Sequence, residues 1–517
     1  MTHRGADLLA RSLMRAGTRH VFALSGNHVM PVFDAALDAG LDLVHVRHEA
    51  ATVHMADGYA RVTGEVGIAL VTGGPGHANA ISALYTALAA QSPVVLLSGH
   101  APHQELGRGA FQEMRQADMA APVTKASWTV GSADDIADAL ARAMRIARSG
   151  WPGPVHLSLP TDVLEAATQA SVPAPDAFAP EVERGDIAQA AIDALSRAQR
   201  PVIVVGPALT AFTAHALPRD LADTTGVPVA VMESPRGIHD ASLGAFAEML
   251  AQADVVALIG KRRDFTLRFG AAFPPECEVI EWEDQISPIA IVQQLIARAG
   301  GQRTRHHAWR SEVEDALRYR PPAWQSTRSA PEGPMHPLTI CTELQAALDA
   351  HRGSILVADG GEFCQWVQGA VNAPRRLING PAGAIGPALP MALGAKLARP
   401  DALVVATVGD GTFGFHASEL DTAVRCGLPV VTVIGNDARW NAEYQIQRRA
   451  YGEARAHGCE LLPSRYEGVA EALGAYGERV SRPDELAPAL QRAIAAGRPA
   501  CLNVALDGIA APRISRT

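Results

Sequence analysis

At 517 residues the chain is too long for one hydrophobic core, and a usual domain size of roughly 100 to 200 residues points to three units. Hydrophobic residues make up 48%, the formal net charge is −9 and no run of like charges occurs, which argues against nucleic acid or a membrane surface as partner. The six cysteines show no CxxC spacing, so the composition excludes a zinc ribbon or disulfide framework and fits reduced thiols in a cytoplasmic protein. The opening MTHRGADLLARSLMRAG carries charges through its apolar pattern and reads as an amphipathic first helix rather than a signal peptide. No stretch is long and apolar enough to span a membrane.

Two segments rich in Pro, Ala and charge, Ala166 to Asp186 and Arg318 to Pro337, break the rhythm and read as linkers. They set three expected domains at 1–168, 185–320 and 335–517. Each alternates short apolar runs with amphipathic stretches, which predicts α/β domains built on doubly wound parallel sheets covered on both faces.

In the first domain a strand runs into a helix at Glu49, and the residues after it are apolar enough to be buried. A helix-start glutamate is ordinary, but a buried carboxylate requires a partner. Thr72-Gly-Gly-Pro-Gly76 follows the expected strand Val66 to Val71; Gly73 there suits close approach of a phosphate or a flat ring, and equally a tight strand-to-helix turn. Asn27, His28, His77 and Gln112 are the polar residues near these turns. His77, His100 and His103 read best as hydrogen-bonded structural histidines.

The middle domain has sheet edges at Gly206 and Gly260, the latter leading into Lys261-Arg-Arg263. No GxGxxG is present, and charged residues solvating a strand end explain the cluster at least as well as an anionic nucleotide does. FAD, ADP or CoA in this domain therefore has no support from its residues. In the third domain a strand ends on Asp359-Gly-Gly361, and NGPAGAIGPALP, with Gly383 and Ile385, forms a glycine-rich loop before a helix.

The stretch Ala402 to Asp437 then predicts a parallel βαβ unit: strands Ala402 to Val408 and Pro429 to Ile434, with a helix over Phe415 to Cys426. Asp410 and Asn436 fall past the carboxyl ends of these strands, where ligands settle in open α/β sheets. Gly409 and Gly411 let backbone approach a phosphate, and a carboxylate with an amide oxygen suits magnesium. Taken alone, Gly-Asp-Gly is equally an ordinary turn.

Arg47-His-Glu49 with HMADGYAR, then TGGPGHAN, SPVVLLSG, AFQE, and Gly-Asp-Gly followed about two dozen residues later by Asn436 together resemble the thiamine-diphosphate enzymes of the acetolactate synthase group. The resemblance spans nearly the whole chain. It implies a pyrimidine-binding domain, a central nucleotide-binding-like domain and a diphosphate- and magnesium-binding domain. It also implies a homodimer or homotetramer in which Glu49 of one subunit faces the diphosphate site of another.

By the same resemblance, Glu49 activates the cofactor through a pyrimidine nitrogen, while Asp410, Asn436 and the carbonyl of Ala438 hold Mg2+. Gly409, Gly411, Thr412, Gly383 and Gly73 border the cofactor, and Ile385 wedges it into a bent conformation. Ser25-Gly-Asn-His28 and Gln112 are closest to benzaldehyde lyase and 2-hydroxyacyl-CoA lyases, making His28 and Gln112 the proton-handling and carbonyl-orienting groups. Departures are Gly435, where a second asparagine is frequent, and Arg439-Trp440.

The expected activity is a carbon–carbon lyase or carboligase acting on 2-hydroxy ketones or 2-oxo acids through a cofactor-bound carbanion. A 2-oxo-acid decarboxylase, acetolactate synthase, 2-hydroxyacyl-CoA lyase or silent regulatory paralogue are the alternatives.

Overall fold

The computed structural model describes residues 2–180, 189–299 and 306–516. The end of the first expected linker and the expected start of the central domain at 185 lie outside them. The chain forms two compact units, Met1–Arg184 with Asp284–Ser287, and Gly185–Glu283 with Pro288–Thr517.

In the first unit, strands β1 (His20–Ala23), β2 (Asp42–His45), β3 (Gly67–Val71), β4 (Val94–His100), β5 (Ala126–Thr129) and β6 (Val155–Pro160) make one parallel sheet, ordered β2-β1-β3-β4-β6-β5. The inner strands β3, β4 and β6 are buried along their full length, because helices cover both faces. A two-residue antiparallel ladder joins His3–Arg4 to Ala167–Thr168. The strand order reverses between β1 and β3, and this switch point opens a crevice at their carboxyl ends. His28 follows β1 and the glycine turn 72–76 follows β3, so the topology brings two segments far apart in sequence to one edge.

The second unit holds two sheets. Strands β7 (Pro201–Val205), β8 (Val229–Val231), β9 (Val255–Ile259) and β10 (Glu278–Glu281) pair in parallel in the order β8-β7-β9-β10. At this switch point a Cβ on Gly206 would stand 1.8 Å from the Gly260 carbonyl oxygen, so the two backbones are in contact. Lys261 is buried and donates to both Asp264 oxygens at 2.8 Å, and Arg263 pairs with Glu281 at 2.7 Å. Two of the basic residues that could have held a nucleotide are thus neutralised from within.

Strands β11 (Ile355–Ala358), β12 (Arg376–Ile378), β13 (Val404–Gly409), β14 (Val430–Asn436), β15 (Tyr476–Val480) and β16 (Ala500–Ala505) form the third parallel sheet, ordered β12-β11-β13-β14-β16-β15. Its switch point lies between β11 and β13, and Asp359 and Asp410 follow their carboxyl ends.

The expected helix Phe415 to Cys426 is two helices, Asp410–His416 and Glu419–Arg425, so Asp410 opens a helix directly. Strand β14 runs two residues further than expected, through Asn436, whose ladder partner is Ala505. The polar stretch after it forms a helix over Asn441–Tyr451. Among the described residues no helix is long and apolar enough to cross a membrane.

Candidate active site

Glu49 begins the helix Glu49–Thr63, whose residues from Ala50 to Val62 are all buried. Glu49 itself is only half-buried, short of the burial expected for it, and Asn79 Nδ2 donates to its Oε2 at 3.0 Å. Its other oxygen would stand 3.4 Å from a Cβ on Gly76, so the glycine turn packs directly against it.

His28 is buried beside the same turn. Its Nδ1 lies 3.2 Å from the Thr72 hydroxyl, and its ring stacks on exposed Phe111 with centroids 6.0 Å apart. Burial pushes this imidazole below its usual pKa, which disfavours its charged form. Gln112 holds a left-handed backbone, φ 57°, against Gly74, whose added Cβ would stand 2.8 Å from the Cβ of Gln112. A Cβ on Gly73 would lie 3.3 Å from His28 Nδ1. Glu49, His28, Gly73 and Gln112 therefore converge on one turn.

Beneath this turn lie three more imidazoles. His77 Nδ1 bonds Ser98 Oγ at 2.8 Å, His156 Nδ1 bonds Ser127 Oγ at 2.8 Å, and the two rings are 4.5 Å apart. His100 Nε2 meets the Met114 carbonyl at 3.0 Å. Burial is the first cause lowering all three, His77 to about 4.

The unfolded chain binds protons that the folded one refuses, so stability present above pH 6.5 is lost as pH falls toward 4. For fully buried His77 alone the full loss is about 3 kcal/mol, of which about 2 kcal/mol falls between pH 7.5 and pH 5. Urea denaturation at pH 7.5 and pH 5 checks this: His77→Asn should flatten the dependence, and an unchanged slope would refute it.

In the second unit an open cleft of about 820 Å³, mouth included, lies at the third sheet's switch point. Asp359 is fully buried and accepts N–H groups from Gly360 at 2.7 Å, Gly386 at 2.9 Å and Ala388 at 3.1 Å. It fixes the glycine-rich loop that brings Gly383 and Ile385 to the cleft wall. Asp359→Asn places an NH2 group against one of these donors, and we expect about 2 kcal/mol lower stability in urea. Unchanged stability would mean that the loop holds itself.

Gly409, Asp410, Gly411 and Thr412 line the same cleft. A Cβ on Gly411 would stand 2.7 Å from the Trp440 ring, so a side chain there requires the indole to move. The Asp410 carboxylate receives the backbone N–H groups of Gly411 and Arg439, and its Oδ2 has no protein partner.

Of the expected metal set, Asn436 and Ala438 are together, the Ala438 N–H donating to Asn436 Oδ1 at 3.1 Å, while Asp410 lines the cleft without them. Because β14 continues through Asn436, that side chain takes the opposite face: its Nδ2 donates to Asn503 Oδ1 at 2.9 Å and to the Ser464 carbonyl at 3.3 Å. Asn436 and Ala438 line a neighbouring pocket with Asn503 and Arg479, and Asp437 borders both this pocket and the cleft. The next residue, Asp437, turns into the cleft and sits in hydrogen-bond contact with Asp410. Burial raises both carboxyls; the Asp410 charge raises Asp437 further, whereas the hydrogen bond from Asp437 partly offsets the rise at Asp410.

Asp437, Asp359, Gln365 and Asn379 are the functional candidates that the sequence reading placed in no role. Gln365 Oε1 and Asn379 Oδ1 are buried in the cleft wall without a protein partner. Two adjacent carboxylates with a free oxygen suit a divalent cation, and the glycine-lined wall admits a phosphate beside it. The residues present thus fit a metal-bound diphosphate.

The parallel sheets and their polar switch points define the class, an α/β enzyme with ligand sites at sheet edges. Three family models match the chain: the "Thiamine pyrophosphate enzyme, N-terminal TPP binding domain" over residues 3–119, the central domain over 188–291 and the C-terminal TPP binding domain over 359–504. The acetolactate synthase large subunit IlvG of Mycobacterium tuberculosis is 34% identical across 99% of this chain and 98% of its own length.

The 2-hydroxyacyl-CoA lyase 2 of Homo sapiens is 32% identical over 93% of this chain and 86% of its own length. The acetolactate synthase isozyme 3 large subunit of Escherichia coli is 31% identical over 95% and 92%. The chain belongs to the thiamine pyrophosphate enzyme family. It is a thiamine-diphosphate-dependent enzyme of the lyase and carboligase type, and small-molecule carbonyl compounds are its substrates.

Proposed function

We propose that the chain is a magnesium- and thiamine-diphosphate-dependent carbon–carbon lyase or carboligase acting on 2-hydroxy ketones or 2-oxo acids. The observation that carries the reading is that His28 and the backbone and Cβ of Gln112 pack against the adjacent glycines Gly73 and Gly74 of one turn. A neutral imidazole accepts a hydroxyl proton and a neighbouring amide donates to a carbonyl oxygen, the pair of tasks that cleaving a 2-hydroxy ketone requires. When bound, thiamine diphosphate supplies an activated thiazolium carbon that adds to a carbonyl.

Glu49 holds its carboxylate for a nitrogen of the cofactor's pyrimidine. Asp410 and Asp437 hold Mg2+, with Gly409, Gly411 and Thr412 beside the diphosphate, Gly383 and Ile385 against the rings, and Gly73 at the pyrimidine. The domains are 1–168 for the pyrimidine, 185–320 as the central unit and 335–517 for the diphosphate and metal. A homodimer or homotetramer, with Glu49 of one subunit serving the diphosphate half of another, and a cytoplasmic location complete the proposal.

The names of the relatives support two neighbouring readings, acetolactate synthase and 2-hydroxyacyl-CoA lyase. Product analysis separates them, with parallel panels of 2-oxo acids, 2-hydroxy ketones and 2-hydroxyacyl-CoA esters. Aldehyde without carbon dioxide from hydroxy ketones supports the lyase, and the same from the esters alone moves the assignment to the acyl-CoA branch. Carbon dioxide with acetolactate from pyruvate establishes the synthase instead.

A further inference from the structure

We propose that Gln116 is a positioning residue that sets Gln112 through the backbone of Gly74; this rests on the role given to Gln112 above. Gln116 begins the short helix Gln116–Ala120 and is 1% exposed, yet its amide is fully engaged. Its Oε1 accepts the Gly74 N–H at 2.8 Å, and its Nε2 donates to the Gly99 carbonyl and to Ser158 Oγ, each at 3.0 Å. Gly99 lies near the end of β4 and Ser158 in β6, so one side chain ties the turn after β3 to the carboxyl ends of the two strands beyond it.

A turn of this shape needs such a tie. Gly74 sits at φ 61°, ψ −118°, a conformation that places its N–H outside any strand ladder. An N–H buried there without an acceptor would carry its full desolvation cost, and no backbone carbonyl takes the place of Gln116 Oε1.

The consequence reaches Gln112 by contact. Gly74 lies directly against its Cα and Cβ, and Gln112 itself holds a left-handed backbone that a non-glycine residue keeps only when its surroundings enforce it. If the amide is removed, the turn loses this anchor and is free to shift against Gln112. The direction of the Gln112 side chain then relaxes. Gln116 touches no reacting atom in this account and acts on turnover only through the residue it places.

A double-mutant cycle tests this on the full-length, cofactor-loaded enzyme. Gln116→Met keeps the shape of the side chain and removes all three hydrogen bonds. It should lower kcat at least tenfold while KM and the Kd for thiamine diphosphate each stay within threefold. In a Gln112→Ala background the same substitution should cost less than threefold.

Wild-type kcat in Gln116→Met, or an equal loss in both backgrounds, overturns the inference and leaves Gln116 a fold-stabilising residue. Should Gln116→Met fail to fold, Ser158→Ala removes one anchor of the amide and carries the same cycle. There the expected loss is two- to fourfold alone and none beside Gln112→Ala; equal losses overturn the inference. Gln112→Ala with unchanged kcat defeats the underlying reading instead, whereas a Gln112→Ala defect beside an unaffected Gln116→Met defeats only this one.

Discussion

Glu49→Gln is expected to lower kcat at least about a hundredfold while leaving the affinity for thiamine diphosphate within about tenfold, ~1.4 kcal/mol. The side chain keeps its length, and the amide oxygen still accepts from Asn79, so the turn at Gly76 retains its packing. What disappears is the negative charge that the proposed hydrogen bond to a pyrimidine nitrogen requires. Calorimetry of cofactor binding and single-turnover kinetics on the same preparation separate the two effects. Undiminished turnover would remove Glu49 from the mechanism, and lost affinity with normal turnover would make it a binding residue only.

Asp437→Ala should raise the Kd for thiamine diphosphate in the presence of Mg2+ about a hundredfold, ~2.7 kcal/mol. Asp410 then faces the cleft alone, with one oxygen already receiving backbone N–H groups. Asn436→Ala should change that Kd less than about fivefold and act on stability instead, by about 1 kcal/mol, because its amide serves Asn503 and Ser464. These two variants decide which residue partners Asp410. The reverse ranking would return the metal to Asn436.

The difference between those residues is one position, and it shows where the sequence stops being informative. The three parallel sheets are legible because strand segments such as Ile68–Val71, Val202–Val205 and Val404–Val408 are buried on both faces and stand out as nearly continuous apolar runs. The metal-side pairing is not legible. Whether Asn436 or Asp437 faces the cleft depends on how far the ladder with β16 runs, and nothing in Ile434-Gly-Asn-Asp437 fixes the end of that pairing.

The helix start at Asp410 escapes a sequence reading for a related reason: Asp410 to Gly414 carries two glycines and no apolar period, and it is helical through its setting at the sheet edge. Asp359 is visible only as a strand end, since the donors that give it a role lie 27 and 29 residues further on. Glu49, His28 and Gln112 are legible through the motifs that surround them. That they share one turn is a consequence of the strand order β2-β1-β3, which no local pattern records.

Titration of the metal-free protein with thiamine diphosphate, with and without Mg2+, tests most directly the claim that the second unit holds the cofactor through a cation on Asp410 and Asp437. Saturable binding is expected with Mg2+, with at least about tenfold weaker binding without it and loss of that difference in Asp437→Ala. Equal binding in the presence and absence of the cation would contradict it.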